Sequence, residues 1–168
     1  GILLLARTAG LRRGEILNLT AADFDLRLGS ITIQPKAESQ TTWRWVPKDK
    51  DQRIVPLIDH LAEWFSRRQR KLKGQPYICL TPRRYNQIRR LQSNARLTDR
   101  IRKKPDNNFN RQFAGIRQIA GIQDLTFHDL RRTCITEWAE DQNLRPQDIQ
   151  KLAGHSSIET TFRYYIKS

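Results

Sequence analysis

Apolar residues recur at helical spacing near both ends of the chain and alternate in between. Ile2 to Arg7 has the pattern of a helix end, with Thr8-Ala9-Gly10 as the turn that follows it. A second helix is expected over about residues 11–19, where Arg12, Glu15, Ile16 and Leu19 share one face at 3.6 residues per turn. Gly29-Ser30 then opens a stretch rich in strand formers: ITIQ at 31–34, TWRWV at 42–46 and RIVPL at 53–57. The polar link KDKDQ at 48–52 suits a hairpin between the last two. A helix of about 58–72 leads into a region without clean periodicity, punctuated by Pro76, Pro82 and Pro105. The last third is helical again, at about 107–120, 127–142, 147–153 and 157–165. Pro146 suits a first helical turn, Gly154 a helix end, and Ser156 with Glu159 a capping box. The pattern predicts an α+β domain, mostly α-helical with a small antiparallel three-stranded sheet.

Charge changes this picture more than composition does. The net charge is +14, and residues 67–104 hold fourteen Lys/Arg against one acid, Asp99, so thirteen of the fourteen net charges lie in one stretch. A charge excess concentrated in this way is the footprint of a polyanionic partner. Tyr85, Asn86, Gln87 and Asn94, interleaved with the charge, favour a nucleic acid over a membrane surface. Contacts to that partner are expected from Arg83, Arg84, Arg89, Arg90, Lys103 and Lys104. The longest apolar run, ILLLA, stops at Arg7, far short of a membrane span. Cys79 and Cys134 lack ligand or disulfide spacing and are read as reduced thiols of a cytoplasmic protein. The chain has no methionine and opens inside a helical pattern, which predicts a fragment of a longer protein with an N-terminal domain outside it.

Two helices carry charges where apolar residues belong. In FHDLRRTCITEWAE, Phe127, Leu130, Cys134 and Trp138 form the apolar stripe, and Arg131 falls inside it while Arg132 points away. An inward guanidinium must meet a carboxylate or await an anion. His128 borders the same face. Arg12 and Glu15 repeat the oddity, although a plain i,i+3 ion pair accounts for them without function. One inward arginine is a curiosity; two suggest a shared anion. Trp43 and Trp45 alternate onto one strand face and are read as core packing.

The segments AGLRRGEIL, PKDKDQRIVPL, FHDLRRT, LAGHSS and ETTFRYY together resemble the tyrosine recombinases, also called the phage integrase family. The resemblance spans nearly the whole chain, so residues 1–168 are expected to form that family's C-terminal catalytic domain. It implies that Arg12 and Arg131 are the two catalytic arginines, that His128 and His155 are the catalytic histidines, and that Tyr164 is the nucleophile. It also implies that Lys48 is the hairpin lysine, with Lys36 and Lys50 as rivals, and that Glu15 orients His128. Lys48 is preferred because it precedes Val55 by seven residues, the family's interval. The implied activity is site-specific DNA cleavage and rejoining through a 3′-phosphotyrosyl intermediate, with no metal or other cofactor. Self-association of the full-length protein on DNA into a tetrameric synapse is implied as well. The alternatives are a type IB topoisomerase and a non-catalytic helix-turn-helix protein built on helices 127–142 and 147–153. From the helical wheel alone, Ile158, Phe162 and Tyr165 form the buried face of the last helix, which turns Tyr164 away from the core.

Overall fold

A computed structural model describes residues 1–48, 52–106 and 108–165. Helix α1 (Ile2–Thr8) lies against α7 (Phe127–Glu140), burying Leu5, Ala6 and Ala9 beside Cys134 and Trp138. Between α1 and α2 (Arg13–Asn18), Gly10 takes φ +60°, and a Cβ there would meet the Trp138 ring at 2.9 Å. No other residue type turns the chain so tightly at that spot. A 3₁₀ turn (Ala21–Asp23) leads into a three-stranded antiparallel sheet of β1 (Phe24–Asp25), β2 (Ser30–Ile33) and β3 (Arg53–Pro56), in the order β1-β2-β3. Ile31 pairs with Val55, and both are fully buried; their neighbours in the register, Thr32 and Ile54, face outward.

Mostly helical architecture with a small antiparallel sheet is therefore as expected, but one strand is not. Residues 42–46 do not join the sheet. Trp45 makes an isolated bridge to Lys36, and the third strand is the two-residue β1 instead. The reason lies in the tryptophans. Trp43 stacks on Tyr77 with ring centroids 3.8 Å apart and donates its indole N–H to Asn18 at 2.9 Å. That aromatic packing draws the segment into a second core with Leu17, Leu80, Ile88 and Leu97, away from β3. Trp43 and Trp45 are buried, as the alternation predicts. The expected KDKDQ hairpin falls mostly on residues 49–51, outside those described.

Helix α3 (Asp59–Gln69) packs Leu61 and Phe65 into the first core. The basic region, in which no periodicity is evident, folds into α4 (Pro82–Ser93) and α5 (Asp99–Lys103). Thr81 caps α4 by accepting the Arg84 N–H, and Pro82 occupies the first turn. Ile88 is its sole buried residue, so charge on the remaining faces hides the period. Helices α6 (Phe109–Ile119), α7, α8 (Pro146–Ala153) and α9 (Ile158–Tyr165) complete the domain, the last two packing on α7 around Ile135, Ile149 and Ala153. At the start of α9, Ser157 rather than Ser156 accepts the Glu159 N–H. Among the described residues, no helix is long and apolar enough to cross a membrane.

Candidate active site

Helix α8 ends at Gly154, whose left-handed φ of +65° turns the chain and exposes the last carbonyls of the helix. Three consecutive carbonyls there each receive an arginine from a different element. Arg53 of β3 donates through Nε to Leu152 at 3.0 Å, Arg131 of α7 through Nη2 to Ala153 at 2.7 Å, and Arg12 through Nη2 to Gly154 at 2.7 Å. The helix C-terminus concentrates partial negative charge, so three cations gathering there is electrostatically consistent. Arg131 reaches further: its Nη1 donates to the carbonyl of Gly10, tying α7 to the α1–α2 turn.

One carboxylate sits beneath this comb. Glu15, 3% exposed, accepts the Arg12 backbone N–H at 2.8 Å and Arg12 Nη1 at 3.2 Å. Arg53 grips both of its oxygens, Nη1 to Oε1 at 2.9 Å and Nη2 to Oε2 at 2.7 Å. Burial alone would push the Glu15 carboxyl up; the hydrogen bonds and charge of Arg53, then those of Arg12, hold it below its usual value instead. Glu15 is thus a carboxylate at neutral pH. The expectation that it orients His128 does not hold: among the described residues its hydrogen bonds go to Arg12 and Arg53. In the capping box of α2 the carboxylate turns back to the Arg12 backbone N–H.

Arg131 is 2% exposed, the inward arginine that the stripe on its helix predicts. Desolvation, and next the charge of Arg12, pull it down to about 10, while Glu15 and the nearby Tyr164 phenol act the other way. It still carries its charge at neutral pH. His128, one turn earlier on α7, stands exposed at the mouth of an open concavity of about 200 Å³ lined also by Arg12, Arg13 and Arg131. Partial burial of its ring, then the charge of Arg131, lowers its pKa below the usual histidine value, so the neutral imidazole dominates at pH 7.

His155, just after α8, and Tyr164 of α9 lie side by side. Their rings lie 5.9 Å apart and near parallel, 17° between planes. His155 Nδ1 shares a 2.9 Å hydrogen bond with the Thr161 hydroxyl, which is fully buried one turn before Tyr165. This bond revises the expected face of α9. Its buried centre is Thr161, because the hydroxyl must reach His155; Phe162, expected inside, is 44% exposed. Tyr164 and Tyr165 are both half-buried against Ile135, Ile149 and Ala153, so Tyr164 is not turned clear of the core.

Lys48 is exposed at the edge of the described chain, and among the described residues no hydrogen bond or ion pair joins it to Arg12, Arg53 or Arg131. Lys36 is engaged elsewhere, in a 2.6 Å ion pair with Asp23 that leaves its side chain 8% exposed. Lys50 lies outside the described residues. The six basic residues expected to touch DNA do not behave alike. Arg83, Arg90, Lys103 and Lys104 are exposed. Arg89 is committed to the carbonyls of Ser39 and Gln40, and Arg84 to the carbonyl of Pro105 and the amide of Gln87, where desolvation lowers its pKa. Arg84 nonetheless lines, with Lys103, Lys104, Arg13 and Arg100, an open basic cleft of about 810 Å³.

Two residues of the cluster escape a reading of the sequence. The signal that could have found Arg53 is period-2 alternation, which puts it on the same face as buried Val55. Thr161 carried no signal, as its role depends on where His155 lands.

The profile of the phage integrase family matches residues 1–168. The chain is 28% identical over 165 residues to the tyrosine recombinase XerC of Chlamydia caviae, covering 97% of this chain and 45% of that protein. It is 29% identical over 161 residues to the XerC of Chlamydia pneumoniae, covering 94% and 43%. It thus spans less than half the length of these curated relatives. Among solved structures, the Tn1549 transposon integrase in complex with transposon right end DNA superposes with a TM-score of 0.69 at 18% identity, over 96% of this chain and 52% of that one. XerA recombinase superposes with a TM-score of 0.65 at 22% identity, over 95% and 50%. At such identities these structures share the fold.

Proposed function

Since the chain belongs to the phage integrase family, we propose that residues 1–168 form a catalytic domain that cuts and rejoins DNA strands site-specifically through a covalent tyrosine adduct. The observation that carries this reading is the convergence of Arg12 and Arg131 on the adjacent carbonyls of Gly154 and Ala153, beside His128. Two guanidiniums brought together from distant parts of the chain make a seat for a dianionic phosphorane.

In the proposed step, the Tyr164 hydroxyl oxygen attacks a backbone phosphorus. A bond from that oxygen to phosphorus forms, the bond from phosphorus to the 5′-oxygen breaks, and the 5′-oxygen leaves as a hydroxyl. Arg12 and Arg131 bind the nonbridging oxygens. Neutral His128 takes up the proton that leaves the Tyr164 oxygen, and His155, held by Thr161, hydrogen-bonds the phosphate. Lys48 supplies the proton to the 5′-oxygen; the Asp23 ion pair makes Lys36 a poor donor, which supports that choice over Lys36. Attack by a 5′-hydroxyl on the phosphotyrosine reverses the step, so phosphodiester energy is conserved and no cofactor is consumed. Cytoplasmic work on double-stranded DNA, and pairing of the longer protein into a tetrameric synapse, belong to the same reading.

Test of the chemistry: incubate the protein with a nicked duplex from which cleavage releases a short fragment that diffuses away. A protein–DNA band that persists in SDS is expected. A helix-turn-helix binder would shift the duplex and leave no such band, and a type IB topoisomerase would relax supercoiled plasmid as a monomer.

Binding itself is expected to be dominated by phosphates, through the exposed Arg83, Arg90, Lys103 and Lys104 and the basic cleft. If about six phosphates are contacted, raising salt from about 50 to about 200 mM weakens affinity by about 10³-fold. Arg89→Ala, which removes a tether of the 39–42 loop, should leave that salt slope nearly unchanged; Arg90→Ala should flatten it by about one. A salt-independent affinity would contradict the assignment.

A further inference from the structure

Arg53 has no part in the chemistry above, yet its side chain is more deeply buried than that of Arg12. Its side chain is 8% exposed against 23% for Arg12. All three of its nitrogens are engaged, two on the Glu15 carboxylate and one on the Leu152 carbonyl. Gly154 leaves room for it: a Cβ there would stand 3.0 Å from Arg53 Nη1.

Glu15 is contested by two cations. Arg53 makes a two-pronged contact at 2.7 and 2.9 Å; the Arg12 guanidinium makes a single longer one at 3.2 Å. A fork-to-fork contact outcompetes a single long one for the same carboxylate. We propose that Arg53 is a positioning residue for strand cleavage: by occupying Glu15, it keeps Arg12 from collapsing onto that carboxylate and holds it on the Gly154 carbonyl, turned toward the phosphate. The inference rests on Arg12 being a phosphate ligand.

The consequence is a signature that a merely structural arginine would not give. In Arg53→Gln the buried, charged Glu15 keeps only Arg12 as a cationic partner and captures it. Adduct formation on the nicked duplex then falls about 100-fold, as for loss of one oxyanion donor, while DNA affinity at fixed salt changes little. Arg53→Lys retains the charge but cannot span both carboxylate oxygens and Leu152, and is expected to lose about tenfold. In the double variant Glu15→Gln with Arg53→Gln the capturing charge is gone, so cleavage recovers at least about tenfold over Arg53→Gln alone. A double variant as slow as Arg53→Gln or slower, with melting curves showing all proteins folded, overturns the proposal. So does an Arg53→Lys protein with unchanged cleavage.

A readout independent of cleavage separates this inference from the functional reading. Phenylglyoxal modification of Arg12, mapped by mass spectrometry on the 168-residue chain, should slow about tenfold in Arg53→Gln and recover in the double variant, because a guanidinium gripped by both carboxylate oxygens reacts more slowly than one in the single 3.2 Å contact of the wild type. If the wild type forms no adduct but this pattern appears, the chemistry is wrong and the positioning holds. If the modification rate of Arg12 is the same in wild type and Arg53→Gln, the positioning is wrong. Arg53→Lys serves the same test if the glutamine variant does not fold.

Discussion

Tyr164→Phe should lower covalent adduct formation by at least about 10⁴-fold, to background, because a nucleophile has no substitute in the step it begins. The ring is what packs against Ile135, Ile149 and Ala153 and lies along His155; the hydroxyl adds no hydrophobic contact. Phenylalanine retains that packing, so the melting temperature and DNA affinity should stay within error of the wild type. Tyr165→Phe is the control, and it should still form the adduct. Its phenol is pushed up by burial and next by Asp148. Melting curves together with SDS gels on both variants decide the matter. A Tyr165→Phe protein that loses the adduct while Tyr164→Phe retains it would reverse the assignment.

The second large effect is at Arg131, where chemistry and stability are joined. Arg131→Lys preserves the charge but replaces a fork by a point donor. A single ammonium cannot bond the Gly10 and Ala153 carbonyls together and also offer a face to phosphate. Cleavage is expected to fall about 10²- to 10³-fold. A buried carbonyl that loses its donor costs about 1–3 kcal/mol, so the melting temperature should drop as well. The pair of carbonyls explains why the fold is expected to register the change, which a reading of Arg131 as a pure phosphate ligand would miss. His128 reports on the same substitution. In Arg131→Gln, loss of the neighbouring positive charge should raise the His128 pKa toward its usual value, as followed by NMR titration, with the neutral form still favoured by burial. Full cleavage activity in Arg131→Lys would remove Arg131 from the site.

How much of this was legible in the chain depends on how local each signal is. Arg131 was legible because helical periodicity fixes which side chains share a stripe, and Phe127, Leu130, Cys134 and Trp138 define that stripe around it. The basic stretch at 67–104 was legible as charge and not as structure. In α4 only Ile88 is fully buried, with Tyr85 and Leu91 half-buried beside it, too little to show through the polar residues between them. The 42–46 segment reads as a strand by alternation, yet it is captured by Tyr77 and Asn18, residues far away in sequence whose aromatic ring and amide no local pattern announces. β1 escaped notice for the opposite reason, since two residues are too few to alternate. At the site, the buried face of α9 was misjudged because hydrophobicity favoured Phe162, whereas a polar Thr161 is buried to serve His155. Likewise Glu15 was assigned to His128, and it is Arg53, brought in by the sheet, that holds it. Single-element geometry was readable; partners supplied by other elements were not.

The measurement that bears most directly on the proposed activity is the identity of the residue bonded to DNA. The wild-type protein is incubated with the nicked duplex, denatured, digested with nuclease and protease, and the peptide carrying residual nucleotide is sequenced by mass spectrometry. The expected product is the TTFRYY peptide with a nucleotide 3′-phosphate on Tyr164 and an unmodified Tyr165. No nucleotide-bearing peptide, or one modified at Tyr165 or at a serine, would contradict it.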